Sequence, residues 1–176
     1  IKKTGEFTVN IALILNEKAE LGVVYVPVTG ELYYRDLDGA SYLERSVDVA
    51  GSRSGRTKIS CREADLENLS VVKSVSHSSP ETEAYIAQYV PKKSESAGSS
   101  LKFGLIASGI ADLYPRLGRT MEWDTGAAHA VLKGAGGNVW RLDTLQELSY
   151  GKVGMENPFF VAAANDMVLR FYNEEP

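Results

Sequence analysis

Trp123-Asp124-Thr125-Gly126-Ala127-Ala128-His129-Ala130-Val131-Leu132, closed by Gly134-Ala135-Gly136-Gly137, is the stretch that decides how this chain folds. An acidic residue stands where a helix begins, small residues follow it, and glycines end the helix before a strand, Asn138-Val139-Trp140. Ala128, Val131 and Leu132 recur at helical spacing, which predicts a helix over about residues 125–133. Asp124 has two readings. As a helix cap, its carboxylate accepts a hydrogen bond from an N–H of the first turn. As a ligand, it offers a hard cation such as Mg²⁺ the oxygen donor that ion prefers, at a helix end whose dipole favours phosphate. The Trp-Asp pair occurs once, without a repeat period, so it is not a propeller signature. His129 lies within the helix on no polar face and reads as structural.

Upstream, Phe7 to Ile14, Leu21 to Val26, Glu31 to Arg35 and Ala40 to Leu43 are rich in β-formers and separated by turn residues, among them Asp38-Gly39. They predict an antiparallel meander. Residues 45–70 read as loop with a short strand, and Val71 to Val75 as another strand. Ser79-Pro80-Glu81 opens a short helix, with Ser79 as its cap. Residues 92–100 read as a polar loop, about 100–108 as a helix ending at Gly109, and Ala111 to Tyr114 as a strand. Phe159 to Ala164 predicts a last buried strand, and Asn165 to Arg170 a helical tail. Strands alternating with helices belong to the α/β or layered α+β class.

The 176 residues are enough for one domain with its own core, and 44% hydrophobic with 24% charged residues is ordinary globular composition. A net charge of -4 argues against a nucleic-acid partner, so an anionic ligand must be held by local groups. The one cysteine, Cys61, forms no internal disulfide and fits a reducing, cytoplasmic setting. No apolar run approaches the ~18 residues of a membrane span, and no basic-then-apolar leader opens the chain. Ile1 reads as a position inside a domain.

With these residues in view, the chain resembles the inositol-monophosphatase superfamily. The Trp-Asp-x-Gly-Ala run with its Gly-Gly exit resembles the family's C-terminal motif. Gly5 to Leu13 is similar to the strand after the family's first metal motif, and Leu21 to Pro27 to the next one. Gly98-Ser99-Ser100-Leu101-Lys102-Phe103 and Ala111-Asp112-Leu113-Tyr114-Pro115-Arg116 resemble the bisphosphate-nucleotidase branch in particular.

The resemblance implies an α+β fold, a layered α/β/α/β/α sandwich of which this chain holds the C-terminal majority. Residues 1–45 would complete an N-terminal sheet subdomain, and 70–176 would form a C-terminal α/β subdomain. It implies Mg²⁺ as cofactor with Asp124 as a ligand beside the scissile phosphate. The implied reaction is removal of the 3′-phosphate from adenosine 3′,5′-bisphosphate, giving AMP and phosphate. His77, Ser99, Lys102, Arg116 and Asp124 are then the candidate substrate-binding residues. An arginine at 116, where inositol phosphatases usually carry glutamate, suits a second phosphate. Without the family, Lys102 and Arg116 read equally as solvated surface charges and His77 as a loop residue. No catalytic residue is assigned within the chain, because the Asp-Pro-Ile/Leu-Asp-Gly-Thr motif is expected upstream of Ile1. Cytoplasmic location with peripheral association at the inner membrane is compatible with this reading. So are two other functions: a sugar monophosphatase of the same fold, and an inert nucleotide-binding fragment.

Overall fold

The computed structural model describes residues 7–46, 55–74 and 79–172. Its first half is an antiparallel sheet in which each strand pairs with the next: β1 (Val9–Leu15), β2 (Lys18–Val26), β3 (Glu31–Arg35), β4 (Ser41–Glu44) and β5 (Thr57–Ile59). Sequential pairing of β1 through β4 follows from their short connections. The β1–β2 turn is two residues, Asn16 and Glu17, both at positive φ (49° and 64°), the backbone a tight hairpin of matching twist requires. Asp38-Gly39 makes the predicted turn before β4, with Gly39 at φ 81°.

The second sheet is mixed, in the order β7 (Lys93–Ala97), β6 (Ser70–Ser74), β8 (Leu113–Arg116), β10 (Phe160–Ala164), β9 (Gly137–Arg141). β6 runs parallel to both β7 and β8, and β10 is antiparallel to β8 and β9. Helices α2 (Leu101–Ala107) and α3 (Glu122–Gly134) fill the space between the sheets. Alternation along the strands divides the core in two. Val72, Tyr114, Val139, Phe160 and Ala162 meet the residues of α2 and α3. Val71, Leu113, Val161 and Ala163 turn the other way, onto Tyr85 and Ile86 of α1 (Pro80–Ala87). The result is four layers: sheet, helix pair, sheet, helix. On the outer face of the first sheet, Val9, Ile11, Leu13 and Leu15 of β1 are exposed, whereas Ala12 and Ile14 face Gly126 of α3.

Three expectations from the sequence are corrected here. α3 starts at Glu122, not at Thr125, which puts Asp124 inside its first turn. Residues 92–100 are not all loop, because Lys93–Ala97 adds an edge strand to the second sheet. The tail after Ala164 is not a helix. It turns at Asn165 and Asp166 and is held by the core, with Met167 buried and the Arg170 carbonyl accepting from the Tyr85 hydroxyl at 2.9 Å.

Candidate active site

β8 carries two of the polar groups in question. Tyr114 and Arg116 are two residues apart, so the strand points both toward the helix pair. Arg116 is only 9% exposed. Its Nη2 donates to the Arg119 carbonyl at 3.1 Å, but its Nε is buried without a hydrogen-bond partner among the described residues.

Lys102, in the first turn of α2, is 4% exposed, so the surface-charge reading does not hold for it. Its ammonium donates to the Ser99 carbonyl (2.6 Å) and the Ala97 carbonyl (3.3 Å), and lies 5.1 Å from the centre of the Tyr114 ring. Ser99 itself is held at positive φ (49°). Its hydroxyl is 2.6 Å from that of Thr8, which also lies 2.7 Å from the Ser100 hydroxyl, and Ser100 donates to Asn10 Oδ1 at 2.7 Å. This hydroxyl cluster ties the start of β1 to the loop before α2.

Asp124 is exposed at the third position of α3. It is not the cap residue itself. Met121 occupies that place, and Asp124 Oδ2 accepts from the Met121 N–H at 2.9 Å, reaching back along the helix. Tyr114 joins these groups electrostatically. Burial raises its phenol above the ordinary range, the Arg116 charge opposes that and the Asp124 charge adds to it. Of these groups Lys102 lies over the Tyr114 ring, which is itself packed edge-on against Phe103 and Phe160. Tyr114 was not singled out as a site residue from the sequence. Its spacing of two from Arg116 on a predicted strand was the available signal.

His77 lies outside the described residues. His129 is fully buried, its Nε2 donating to Asn138 Oδ1 (2.6 Å) and its Nδ1 accepting from the Tyr150 hydroxyl (2.8 Å), a structural role as expected. A cleft of 250 Å³ runs between β1 and the start of α3, lined by Asn10, Ala12, Ile14, Trp123, Tyr150 and Met155 among others. Lys102, Arg116 and Asp124 are not among its walls.

The neighbouring carboxylate, Glu122, is engaged elsewhere: it accepts from the Gly151 and Lys152 N–H groups and pairs with the Lys152 ammonium at 2.7 Å. Among the described residues no group of three or more His, Cys, Asp or Glu side chains is placed to hold a metal ion. Mg²⁺ asks for more oxygen ligands than Asp124 alone provides, so these residues do not make a magnesium site by themselves.

Residues 1–169 match the inositol monophosphatase family. The chain belongs to that family. Among the curated members, it is 44% identical over 147 residues to the 3′(2′),5′-bisphosphate nucleotidase CysQ of Salmonella typhimurium, an alignment covering 82% of this chain and 56% of the relative. The CysQ of Buchnera aphidicola is 39% identical over 166 residues, covering 93% and 59%. Among solved structures, CysQ from Bacteroides thetaiotaomicron superposes with a TM-score of 0.82 at 39% identity, covering 93% of this chain and 64% of that one. A Pyrococcus horikoshii protein with similarities to inositol-1 monophosphatase has a TM-score of 0.69 at 20% identity, which speaks to the fold alone. The α+β sandwich is thus the fold of the inositol monophosphatase family. The chain spans about half the length of the curated relatives it matches. No helix among its described residues is long and apolar enough to cross a membrane.

Proposed function

We propose that the protein is a phosphate monoester hydrolase that removes the 3′-phosphate of adenosine 3′,5′-bisphosphate, with Mg²⁺ as cofactor and no nucleic-acid partner. Arg116 carries this reading. A guanidinium N–H that is buried and unpaired is destabilising, and the chemistry that relieves it is an anion with two oxygens in a plane. Lys102 places a second cation over the ring of Tyr114, two residues before Arg116 on β8. A ligand with two phosphates uses both, whereas an inositol monophosphate needs one. The relatives named CysQ support the same substrate class.

In this reading Lys102, Arg116 and the Ser99 hydroxyl hold and orient the nucleotide, with His77 beside it. Asp124 supplies one of the magnesium ligands, and the remaining carboxylates come from outside the described residues. Segments 1–45 and 70–176 act as two parts of one phosphatase unit, in a cytoplasmic protein.

The test is turnover by the full-length protein with Mg²⁺, comparing adenosine 3′,5′-bisphosphate with inositol 1-phosphate. Preference for the nucleotide, lost almost completely in Asp124→Asn, is the expected result. Preference for the inositol ester, or near-normal activity in Asp124→Asn, overturns the assignment.

A further inference from the structure

The connection between Arg116 and Asp124 is short, and both side chains are anchored through it. Arg116 Nη2 is held by the carbonyl of Arg119, and the Asp124 carboxylate by the N–H of Met121. Neither anchor is rigid unless the connection is.

One side chain from a distant segment fixes it. Asn157 is 6% exposed, and its Nδ2 donates to the Met121 carbonyl (2.9 Å) and to Thr125 Oγ1 (3.1 Å), the residues flanking Asp124 on either side in the helix turn. Its backbone N–H donates to the Thr120 carbonyl at 2.9 Å. Two residues earlier, the Met155 carbonyl accepts from the Glu122 N–H at 2.8 Å, so 155–157 lies against 120–122 as a short antiparallel pair. Thr125 passes the contact on, its hydroxyl donating to the Glu122 carbonyl at 3.2 Å. Pro158 follows, which confines Asn157 to extended backbone and presents its amide with little freedom to lose.

We propose that Asn157 is a positioning residue. Through Met121, Thr125 and Thr120 it sets the Asp124 carboxylate and the Arg116 guanidinium relative to each other, and so to a bound phosphate ester. The reasoning is geometric. Met121 gives its N–H to Asp124 and its carbonyl to Asn157, on the two peptide units that meet at its Cα, so displacing Asn157 shifts the backbone that holds the carboxylate. The inference rests on the bisphosphate reading of the site.

The test uses the full-length protein, with calorimetric binding of adenosine 3′,5′-bisphosphate and kcat/KM measured well below the unfolding temperature. Asn157→Ala lowers kcat/KM about 10- to 100-fold, as expected when reacting groups shift by an ångström or less. Because that variant also leaves a hole, Thr125 gives the second arm. Thr125→Ser keeps the hydroxyl that Asn157 grips, and Thr125→Val keeps the shape without it. Positioning by hydrogen bond requires Ser to retain binding and turnover and Val to lose them; a packing role gives the reverse order, and that order overturns the proposal. Asn157 variants equal to the parent overturn it too, leaving the bisphosphate reading intact. A parent protein that ignores the nucleotide overturns both.

Discussion

Gly22 of β2 lies directly against the carbonyl of Ala127 in α3, so closely that a Cβ on Gly22 would overlap the Ala127 backbone. Backbone on both sides of the contact leaves nothing able to swing away. The helix that carries Asp124 is therefore seated on the first sheet at the one strand position lacking a side chain.

Gly22→Ala is accordingly expected to destabilise the protein by about 3 kcal/mol or more, beyond the usual range for overpacking, since no rotamer change relieves it. Chemical denaturation checks this. A midpoint unchanged from the parent would mean that α3 slides on the sheet without resistance.

Asp112 precedes β8 and is buried, its two oxygens each 2.5 Å from the Arg62 guanidinium, with the Ser70 N–H adding a third bond at 2.7 Å. Arg62 is partly exposed, so its own desolvation is modest. Arg62→Met strips the carboxylate of its counter-charge and leaves it in the interior, a change that costs about 3 kcal/mol. Replacing both partners together, in Arg62→Met with Asp112→Asn, should recover part of that loss. A double variant no more stable than Arg62→Met would show that the pair is not coupled.

The meander and α3 were legible because their signals are local: turn dipeptides at Asp38-Gly39, glycines after α3, and apolar residues at helical spacing. β7 was not, since Lys93, Ser94, Glu95 and Ser96 are all exposed on a sheet edge, and a strand with no buried face has no alternation to read. The tail after Ala164 has helix-forming residues but takes its shape from contacts with Tyr85 and Tyr89, far away in sequence. The same holds in the site. Asp124, Lys102 and Arg116 stand in recognisable runs, whereas Asn157 acts on residues more than thirty positions upstream, and nothing near it in sequence announces that partnership.

Lys102 has two tasks under the proposed function. Its ammonium bonds fix the Ala97 and Ser99 carbonyls, and its charge favours a nearby phosphate. Lys102→Met removes both while keeping most of the apolar stem. Affinity for adenosine 3′,5′-bisphosphate should fall about 10- to 100-fold, the loss of one charge-assisted contact of roughly 1.5–3 kcal/mol. Affinity for AMP, which has one phosphate fewer, should fall by less. Calorimetry with the two nucleotides decides the matter, and equal losses would place Lys102 away from the second phosphate.

His129 predicts an acid dependence of stability. Burial, foremost, holds its imidazole down at about 4, against the opposing pull of the Asn138 bond and the Glu147 charge; the Lys133 and Arg35 charges act with burial. An unfolded chain protonates this histidine at its ordinary value of about 6.5. Above that pH both states are neutral and the fold keeps its full stability. As pH falls from about 6.5 toward 4, the unfolded state gains a proton that the folded state refuses, and stability declines by about 3 kcal/mol over the window. Burial acts to raise the Glu147 carboxyl, but the Lys133 bond and charge, with His129 and Asn138, hold it below the usual carboxylate range, and it contributes its own loss only at lower pH. Denaturation at pH 7 and pH 5 should therefore differ by about 2 kcal/mol in the parent. In His129→Gln, which retains polar contacts toward Tyr150 and Asn138 without a titrating ring, the difference should nearly vanish. The same pH difference in both proteins would mean that His129 takes up its proton in the folded state as readily as in water.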